Sequence, residues 1–337
     1  MGAIQPPPDA FPLPAIAFGR ALLVAGTSPG GLRPDSNASG LERGWARLAG
    51  RTAAGYYSGD VRRFPRSHLL LGLVASAHAL GADLRFVCEG VKVKQVDVPA
   101  LRRGCHVTTV EIDDPNYGAR KRYLACPLAE VFTLGFGEPP RALGSADVFI
   151  RAWDGYDRPT SAEVLAEDGA WIAFGDADLS EGETLRFAPL GPKGIDPGPL
   201  YLVWGKSTPR DRSVHPWPWQ IAELEVVEFQ KRYPHVIPTG AARDSAAWRG
   251  FEIFRGECIA CHAINAEGGK VGPDLNVPQS IVEYRPVEQL KAYIRDPATF
   301  RYGNMPAHPD LTEADLDALV AYFRAMSERK HDPGRNQ

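Results

Sequence analysis

The sequence has few cysteines and methionines, no excess of basic residues and no long apolar run. Its 337 residues include 5 Cys and 3 Met, and 38 Lys and Arg nearly balance 41 Asp and Glu. A balanced charge without a run of Lys or Arg gives no electrostatic footprint for nucleic acid, so we expect no nucleic-acid partner. No segment reaches the roughly 18 consecutive apolar residues of a spanning helix, so we expect no permanent membrane span.

The composition that remains is that of a globular chain with more than one domain. Apolar residues make up 44% and charged residues 23% of the sequence, and both values are typical of packed domains. A length of 337 residues predicts two domains with additional segments.

Two of the five cysteines stand in the sequence Cys258-Ile259-Ala260-Cys261-His262. C-x-x-C-H is the pattern of covalent c-type haem attachment, because two thiols add to the porphyrin vinyl groups and the next imidazole ligates the iron. A zinc half-site would need a second Cys or His pair, which does not follow, and a redox dithiol would not need the histidine. The pattern predicts one haem c, attached at Cys258 and Cys261, with His262 as an axial ligand.

A methionine lies in a loop from which it can ligate the other side of the iron. Met305 stands in Tyr302-Gly303-Asn304-Met305-Pro306. A thioether opposite an imidazole raises the reduction potential, because soft sulfur favours ferrous iron. Met305 as an ordinary core residue and His308 as a competing ligand are the alternatives. We predict Met305 as the second axial ligand.

Residues from about 240 to 330 resemble a class I cytochrome c. Residues 242–257 are expected to form the first helix, which runs into the haem motif. A last helix is expected to begin at Leu311-Thr312-Glu313-Ala314-Asp315, with Thr312 as N-cap and Asp315 in the capping-box position. An apolar stripe at helical spacing follows, formed by Leu316, Leu319, Val320 and Phe323.

The same resemblance assigns a role to Gly272-Pro273-Asp274-Leu275, which is similar to the G-P-x-L turn of that family. It implies that the carbonyl of Pro273 accepts a hydrogen bond from Nδ1–H of His262. Such a bond fixes the tautomer of the imidazole that ligates the metal.

The segment from about 80 to 235 has the pattern of short strands. Strands are predicted at 106–112, 120–125, 147–152, 170–174, 200–204 and 221–227, with short helices at 127–134 and 161–167. A β-turn is predicted at Asp113-Asp114-Pro115-Asn116-Tyr117-Gly118. Near the end of this segment Trp204, Trp217 and Trp219 are expected to line the contact with the cytochrome.

This segment resembles the molybdopterin-binding domain of sulfite-oxidase-type enzymes. The likeness is carried by Tyr123, Pro127-Leu128, Ala152-Trp153-Asp154-Gly155-Tyr156, 171–174 and 220–228. Gly198-Pro199-Leu200-Tyr201 stands where that family has G-x-P-L-R, and it lacks the Arg. The family also needs one cysteine thiolate on molybdenum, for which the candidates are Cys88, Cys105 and Cys126.

A disulfide explains two of those cysteines more simply. Cys105 and Cys126 are equally far from the boundary between Pro115 and Asn116, so they are expected to face each other across the hairpin. Opposite residues approach to about 4.5–5.5 Å at Cβ, and an oxidising compartment favours bridging. We predict a Cys105–Cys126 disulfide and no molybdopterin.

An export signal is predicted well inside the sequence. Residues 62–66 are basic, residues 69–75 are apolar, and Ala77-His78-Ala79 fits a cleavage site, so 61–79 is predicted as a signal peptide of a periplasmic protein. A short buried helix is the alternative. Residues 1–60 show no periodicity and are predicted to be upstream translation, with Val61 at a GTG start, or a disordered extension.

The sequence therefore predicts a multi-domain α+β protein. A β-rich sulfite-oxidase-like domain (80–235), a linker (236–242), an all-α cytochrome c domain (243–330) and a tail (331–337) follow the signal. The predicted function is periplasmic transfer of single electrons to or from redox partner proteins, with the β-rich domain serving docking or assembly. We expect an electron-transfer protein or redox subunit more than a stand-alone enzyme. A molybdenum oxidoreductase similar to sulfite dehydrogenase and a haem-based sensor are the alternatives.

Overall fold

The computed structural model describes residues 83–182, 184–205 and 214–336. The predictions for residues 1–60 and 61–79 lie outside the described residues. Within the described part, no helix has the length and apolar character needed to cross a membrane. The fold is mixed α+β, with a β-rich part (83–227), a connector (228–245) and a helical part (246–336).

The β-rich part consists of two sheets. Its strands are β1 (Asp83–Cys88), β2 (Val91–Asp97), β3 (Thr108–Asp114), β4 (Ala119–Pro127), β5 (Asp147–Ala152), β6 (Asp157–Ser161), β7 (Ala170–Asp176), β8 (Tyr201–Trp204) and β9 (Ile221–Val226). Its helices are α1 (Val98–Arg103), α2 (Leu128–Phe136) and α3 (Ala162–Leu165). One sheet has the order β2-β1-β9-β5-β6 and the other β3-β4-β7-β8.

The apolar pattern of the strands explains their positions. All six residues of β9 are buried, and β9 lies between β1, its parallel neighbour, and β5, its antiparallel neighbour. Most residues of β2 are exposed, because β2 is an edge strand and carries lysines that discourage pairing with another chain. The predicted strand at 147–152 is confirmed by the bounds of β5.

The β3–β4 hairpin is formed, but its register differs from the predicted one. Asp114 pairs with Ala119, so the turn is centred one residue later than expected. The carboxylate of Asp114 explains the shift, since Oδ1 accepts from the backbone N–H of Asn116 at 2.8 Å and stabilises the turn there. Cys105 therefore precedes β3 and is not directly opposite Cys126. The structure nevertheless joins the two as a disulfide, with their Cα atoms 6.2 Å apart.

The three tryptophans do not line the contact between the parts, so that expectation is wrong. Trp204 and Trp217 are buried in the core of the β-rich part, and Trp219 packs against the same core. The indole N–H of Trp204 donates to the carbonyl of Pro216 at 2.8 Å, which ties the approach to β9 back onto β8. Proline-rich backbone beside large aromatic rings thus closes this core.

The connector packs against both parts. It contains α4 (Phe229–Arg232), and its Phe229 and Tyr233 join Phe149 of β5 in the apolar cluster of the helical part. Asp157 of β6 accepts from Arg232 at 2.6 Å and from the Tyr233 hydroxyl at 2.7 Å. The contact between the parts is therefore both apolar and ionic.

The helical part contains α5 (Ala246–Ile253), a π-helical turn (Phe254–Cys258), β10 (Ala263–Ile264), β11 (Glu267–Gly268), α6 (Ile281–Tyr284), α7 (Val287–Arg295) and α8 (Glu313–Ser327). The predicted capping box is confirmed, because Thr312 caps α8 together with Asp315. Helices α5 and α8 cross at Gly250, where an added Cβ would lie 2.0 Å from the carbonyl oxygen of Ala318. Only glycine permits so close a crossing.

Candidate haem site

The end of α5 places both cysteines and the histidine on one side of the chain. The helix widens into the π-helical turn Phe254–Cys258, a distortion common at functional sites. The N–H groups of Cys261 and His262 then donate to the carbonyl of Cys258 at 3.1 and 2.9 Å. Residues three and four apart in a helical turn share a face, so the two thiols and the imidazole lie together.

The imidazole of His262 is held in one tautomer. Its Nδ1 lies 2.9 Å from the carbonyl oxygen of Pro273. A carbonyl can only accept, so Nδ1 carries the proton and Nε2 keeps the lone pair that binds a metal. Burial lowers the pKa of His262, and the nearby His308 acts in the same direction. The ring is therefore neutral near pH 7, as ligation requires.

The backbone at Gly272 also packs against the imidazole of His262. The N–H of Gly272 donates to the carbonyl of Cys261 at 2.7 Å. A Cβ added at Gly272 would lie 2.4 Å from Cε1 of His262. The imidazole thus packs directly against the chain at Gly272, and the G-P turn both orients and confines it.

The two thiols are free in the structure. Burial raises the pKa of Cys258 to about 12 and that of Cys261 to about 11, so both stay protonated at neutral pH. In the described part of the chain, no group of three or more His, Cys, Asp or Glu side chains is placed to hold a metal ion.

The two candidates for the second axial ligand lie on one loop. Met305 is half-buried and packs against the apolar cluster of the helical part. Nδ1 of His308 lies 3.7 Å from a carboxylate oxygen of Glu257, the residue before Cys258, and burial lowers the pKa of His308. The loop that carries them is attached to α7 through the N–H of His308, which donates to the carbonyl of Ile294 at 3.2 Å.

Several apolar side chains of the helical part are not fully covered. Four of the eight large hydrophobic side chains that are exposed in the described residues fall between 271 and 302. Others are half-buried on the same cluster, namely Leu275, Val282, Val287 and Leu311. A flat apolar macrocycle would cover such a surface. Thiols, a single imidazole tautomer and this surface together fit a covalently attached haem.

Comparisons with known proteins agree with this geometry. Residues 247–327 match the family model of cytochrome c. The chain is 38% identical over 90 residues to cytochrome c oxidase subunit 2 of Alkalihalophilus pseudofirmus, which covers 25% of this chain and 26% of that protein. It is 38% identical over 108 residues to lupanine 17-hydroxylase [cytochrome c] of a Pseudomonas species, covering 31% of this chain and 14% of that protein.

A third relative is matched over a longer stretch. Thiosulfate dehydrogenase of Thiomonas intermedia is 30% identical over 152 residues, which is 43% of this chain and 42% of that protein. The chain thus spans less than half the length of each of these curated relatives. Its C-terminal part is a cytochrome c domain, which implies covalently bound haem c, and these similarities support haem-based electron transfer.

One feature of the site had no signal in the sequence. The turn between β5 and β6 contacts the haem-attachment segment, since the N–H of Asp157 donates to the carbonyl of Ala260 at 2.9 Å. Asp154-Gly155-Tyr156 stood out only as part of the sulfite-oxidase likeness. A contact between residues so far apart in the chain cannot be deduced from spacing.

Proposed function

We propose that the protein carries single electrons through one haem c, attached at Cys258 and Cys261 and ligated by His262 and Met305. When bound, the haem supplies a one-electron Fe(III)/Fe(II) couple. The observation that carries the proposal is the hydrogen bond of His262 to Pro273, 2.9 Å long, which leaves Nε2 as the ligating atom. Redox partner proteins donate and accept the electron.

The side chains of the site have separate tasks in this function. His262 binds the iron, and Pro273 keeps its ring in the ligating tautomer. Met305 supplies the thioether that favours ferrous iron. The half-buried apolar side chains of the same cluster would shield the bound haem from water, which strengthens electrostatic effects on the couple.

Attachment is tested by expressing the protein in a host with a haem-ligation system and recording its pyridine haemochrome spectrum. We expect one covalent haem per chain in the wild type and none in the Cys258→Ala/Cys261→Ala variant. Cys88→Ala is the matched control and should keep its haem, because Cys88 lies in β1. A colourless wild-type protein would contradict the proposal.

Met305 is preferred over His308 because its side chain packs against the apolar cluster of the helical part, whereas Nδ1 of His308 lies 3.7 Å from the Glu257 carboxylate. Met305→Ala should abolish the far-red absorption of a methionine-ligated ferric haem, and His308→Ala should retain it. The reverse result would reassign the ligand. Rapid binding of carbon monoxide to the wild-type ferrous protein would instead favour the sensor.

We further propose that the working protein is exported to the periplasm and that a signal peptide at 61–79 directs it there. The disulfide between Cys105 and Cys126 supports this location, because disulfides persist in oxidising compartments. N-terminal sequencing of the exported protein should find a start near Leu80. A mature terminus before residue 60 would refute the signal.

The β-rich part is proposed to be of the sulfite-oxidase type and to serve docking or assembly. The disulfide uses two of the three candidate molybdenum ligands, which leaves Cys88 of β1 as the remaining one. Metal analysis should give iron without molybdenum, and equal amounts of both would establish the molybdenum oxidoreductase instead.

A further inference from the structure

The β5–β6 turn joins the haem-attachment segment through backbone hydrogen bonds. The N–H of Lys270 donates to the carbonyl of Gly155 at 2.8 Å, and the N–H of Asp157 donates to the carbonyl of Ala260 at 2.9 Å. Ala260 lies between the two haem cysteines. The β-rich part is therefore attached directly to the segment that would carry the haem.

The next residue of β6 brings a positive charge to the same place. The side chain of Arg158 donates through Nη1 to the carbonyl of Gly256, in the π-helical turn before Cys258. Arg158 is only 7% exposed.

A buried cation near a haem affects the two oxidation states differently. Ferric haem carries one more positive charge than ferrous haem, so a nearby cation destabilises the ferric state more. The effect grows where water is excluded, since the effective dielectric constant falls. A charge held against the attachment segment is thus placed to change the reduction potential.

Building on the proposed haem function, we propose that the β-rich part raises the reduction potential of the haem through Arg158, held at Gly256 by the β5–β6 turn. This contribution gives the β-rich part a role in electron transfer besides docking. Arg158 acts on the haem only through its positive charge and does not ligate the iron.

A second arginine at the same junction provides a matched control. Arg255 lies in the same π-helical turn and pairs with Asp147 of β5 at 2.7 Å, and its side chain is 41% exposed. Its charge is therefore screened by solvent more strongly than that of the buried Arg158. Removing Arg255 breaks a contact between the parts without removing a buried charge.

The test is a spectroelectrochemical titration of full-length Arg158→Gln, Arg158→Lys and Arg255→Gln proteins, after their haem content has been measured. Arg158→Gln should shift the ferric-to-ferrous ratio at a fixed potential about tenfold toward ferric, a fall of about 59 mV for one electron. Arg158→Lys should restore most of the wild-type ratio, and Arg255→Gln should change it less than about twofold.

A second variant keeps the test valid if Arg158→Gln does not fold. Arg158→Met keeps the apolar stem of the side chain in place and removes its charge. It should shift the ratio toward ferric about as far as Arg158→Gln does. The proposal is overturned if haem-loaded Arg158→Gln, or failing that Arg158→Met, has the wild-type potential, or if Arg255→Gln falls as far as Arg158→Gln. Absence of haem in every protein, wild type included, would instead overturn the proposed function.

Discussion

The β-rich and helical parts complete their cores in different ways. In the β-rich part, the buried Asp114 accepts from the hydroxyls of Tyr123 at 2.7 Å and Tyr201 at 2.9 Å, and a disulfide adds a covalent link. In the helical part, apolar side chains around the attachment segment stay half-buried. The β-rich part is held by a buried polar network and a covalent link of its own, whereas the helical part has an apolar surface that a haem would cover.

The largest effect expected from this difference is on the helical part when attachment is prevented. The Cys258→Ala/Cys261→Ala variant should exchange amide hydrogens at least about tenfold faster in the helical part. The reason is that no bound haem stabilises the folded state of this part. Peptides from β4 and β7 should keep wild-type protection. Hydrogen exchange with mass spectrometry resolves the two, and equal acceleration in both parts would contradict the comparison.

The crossing of α5 and α8 gives the next largest effect. Gly250→Ala would place a Cβ 2.0 Å from the carbonyl oxygen of Ala318, and overpacking of this kind costs about 3 kcal/mol. Gly256→Ala is the matched control, since an added Cβ there has no heavy atom within 4 Å. Thermal unfolding of the two variants measures the difference, and similar melting temperatures would show that the helices can separate slightly.

The disulfide should affect mainly the β-rich part. Cys105 and Cys126 are separated by 21 positions, and closing a loop of that size stabilises a domain by about 3 kcal/mol. The Cys105→Ser/Cys126→Ser variant should lower the urea midpoint of the β-rich part and leave the haem spectrum unchanged. Cys88→Ser serves as the control, and a midpoint equal to the wild type would mean that the bridge does not form.

How far the sequence predicts this protein depends on how local each feature is. The haem motif, the Thr312 cap and the bounds of β5 depend on neighbouring residues, and each could be predicted. The register of the β3–β4 hairpin differed by one residue because the side chain of Asp114 selects the turn. The parallel pairing of β1 with β9 and the contact of Arg158 with Gly256 join distant residues, so no pattern in a single sequence indicates them.

The strand β2 is a different case. Its alternation Val91-Lys92-Val93-Lys94 is itself a strand signal, although the predicted strands began only at residue 106.

The tryptophans show that residue type alone does not distinguish a core from an interface. Trp204 and Trp217 carry the large apolar surface typical of interfaces, yet they fill the β-rich core.

The smallest effect tests the capping of α8. Thr312→Ala removes the acceptor for the N–H of Asp315, 3.2 Å away, and should cost about 1 kcal/mol at pH 7. Ser327→Ala is the control at the other end of the helix, where the hydroxyl only donates to the carbonyl of Arg324.

The pH dependence of this small effect identifies its cause. Hydrogen bonds from Thr312 and Arg249 hold the pKa of Asp315 below its ordinary value of 3.8. A lowered pKa stabilises the fold above the unfolded-state value and loses that contribution as the pH falls through the folded-state value. The stability difference between wild type and Thr312→Ala should therefore be full at pH 7 and shrink below about pH 4. Urea unfolding at both pH values measures it, and a difference that does not change with pH would assign the effect to the threonine hydroxyl alone.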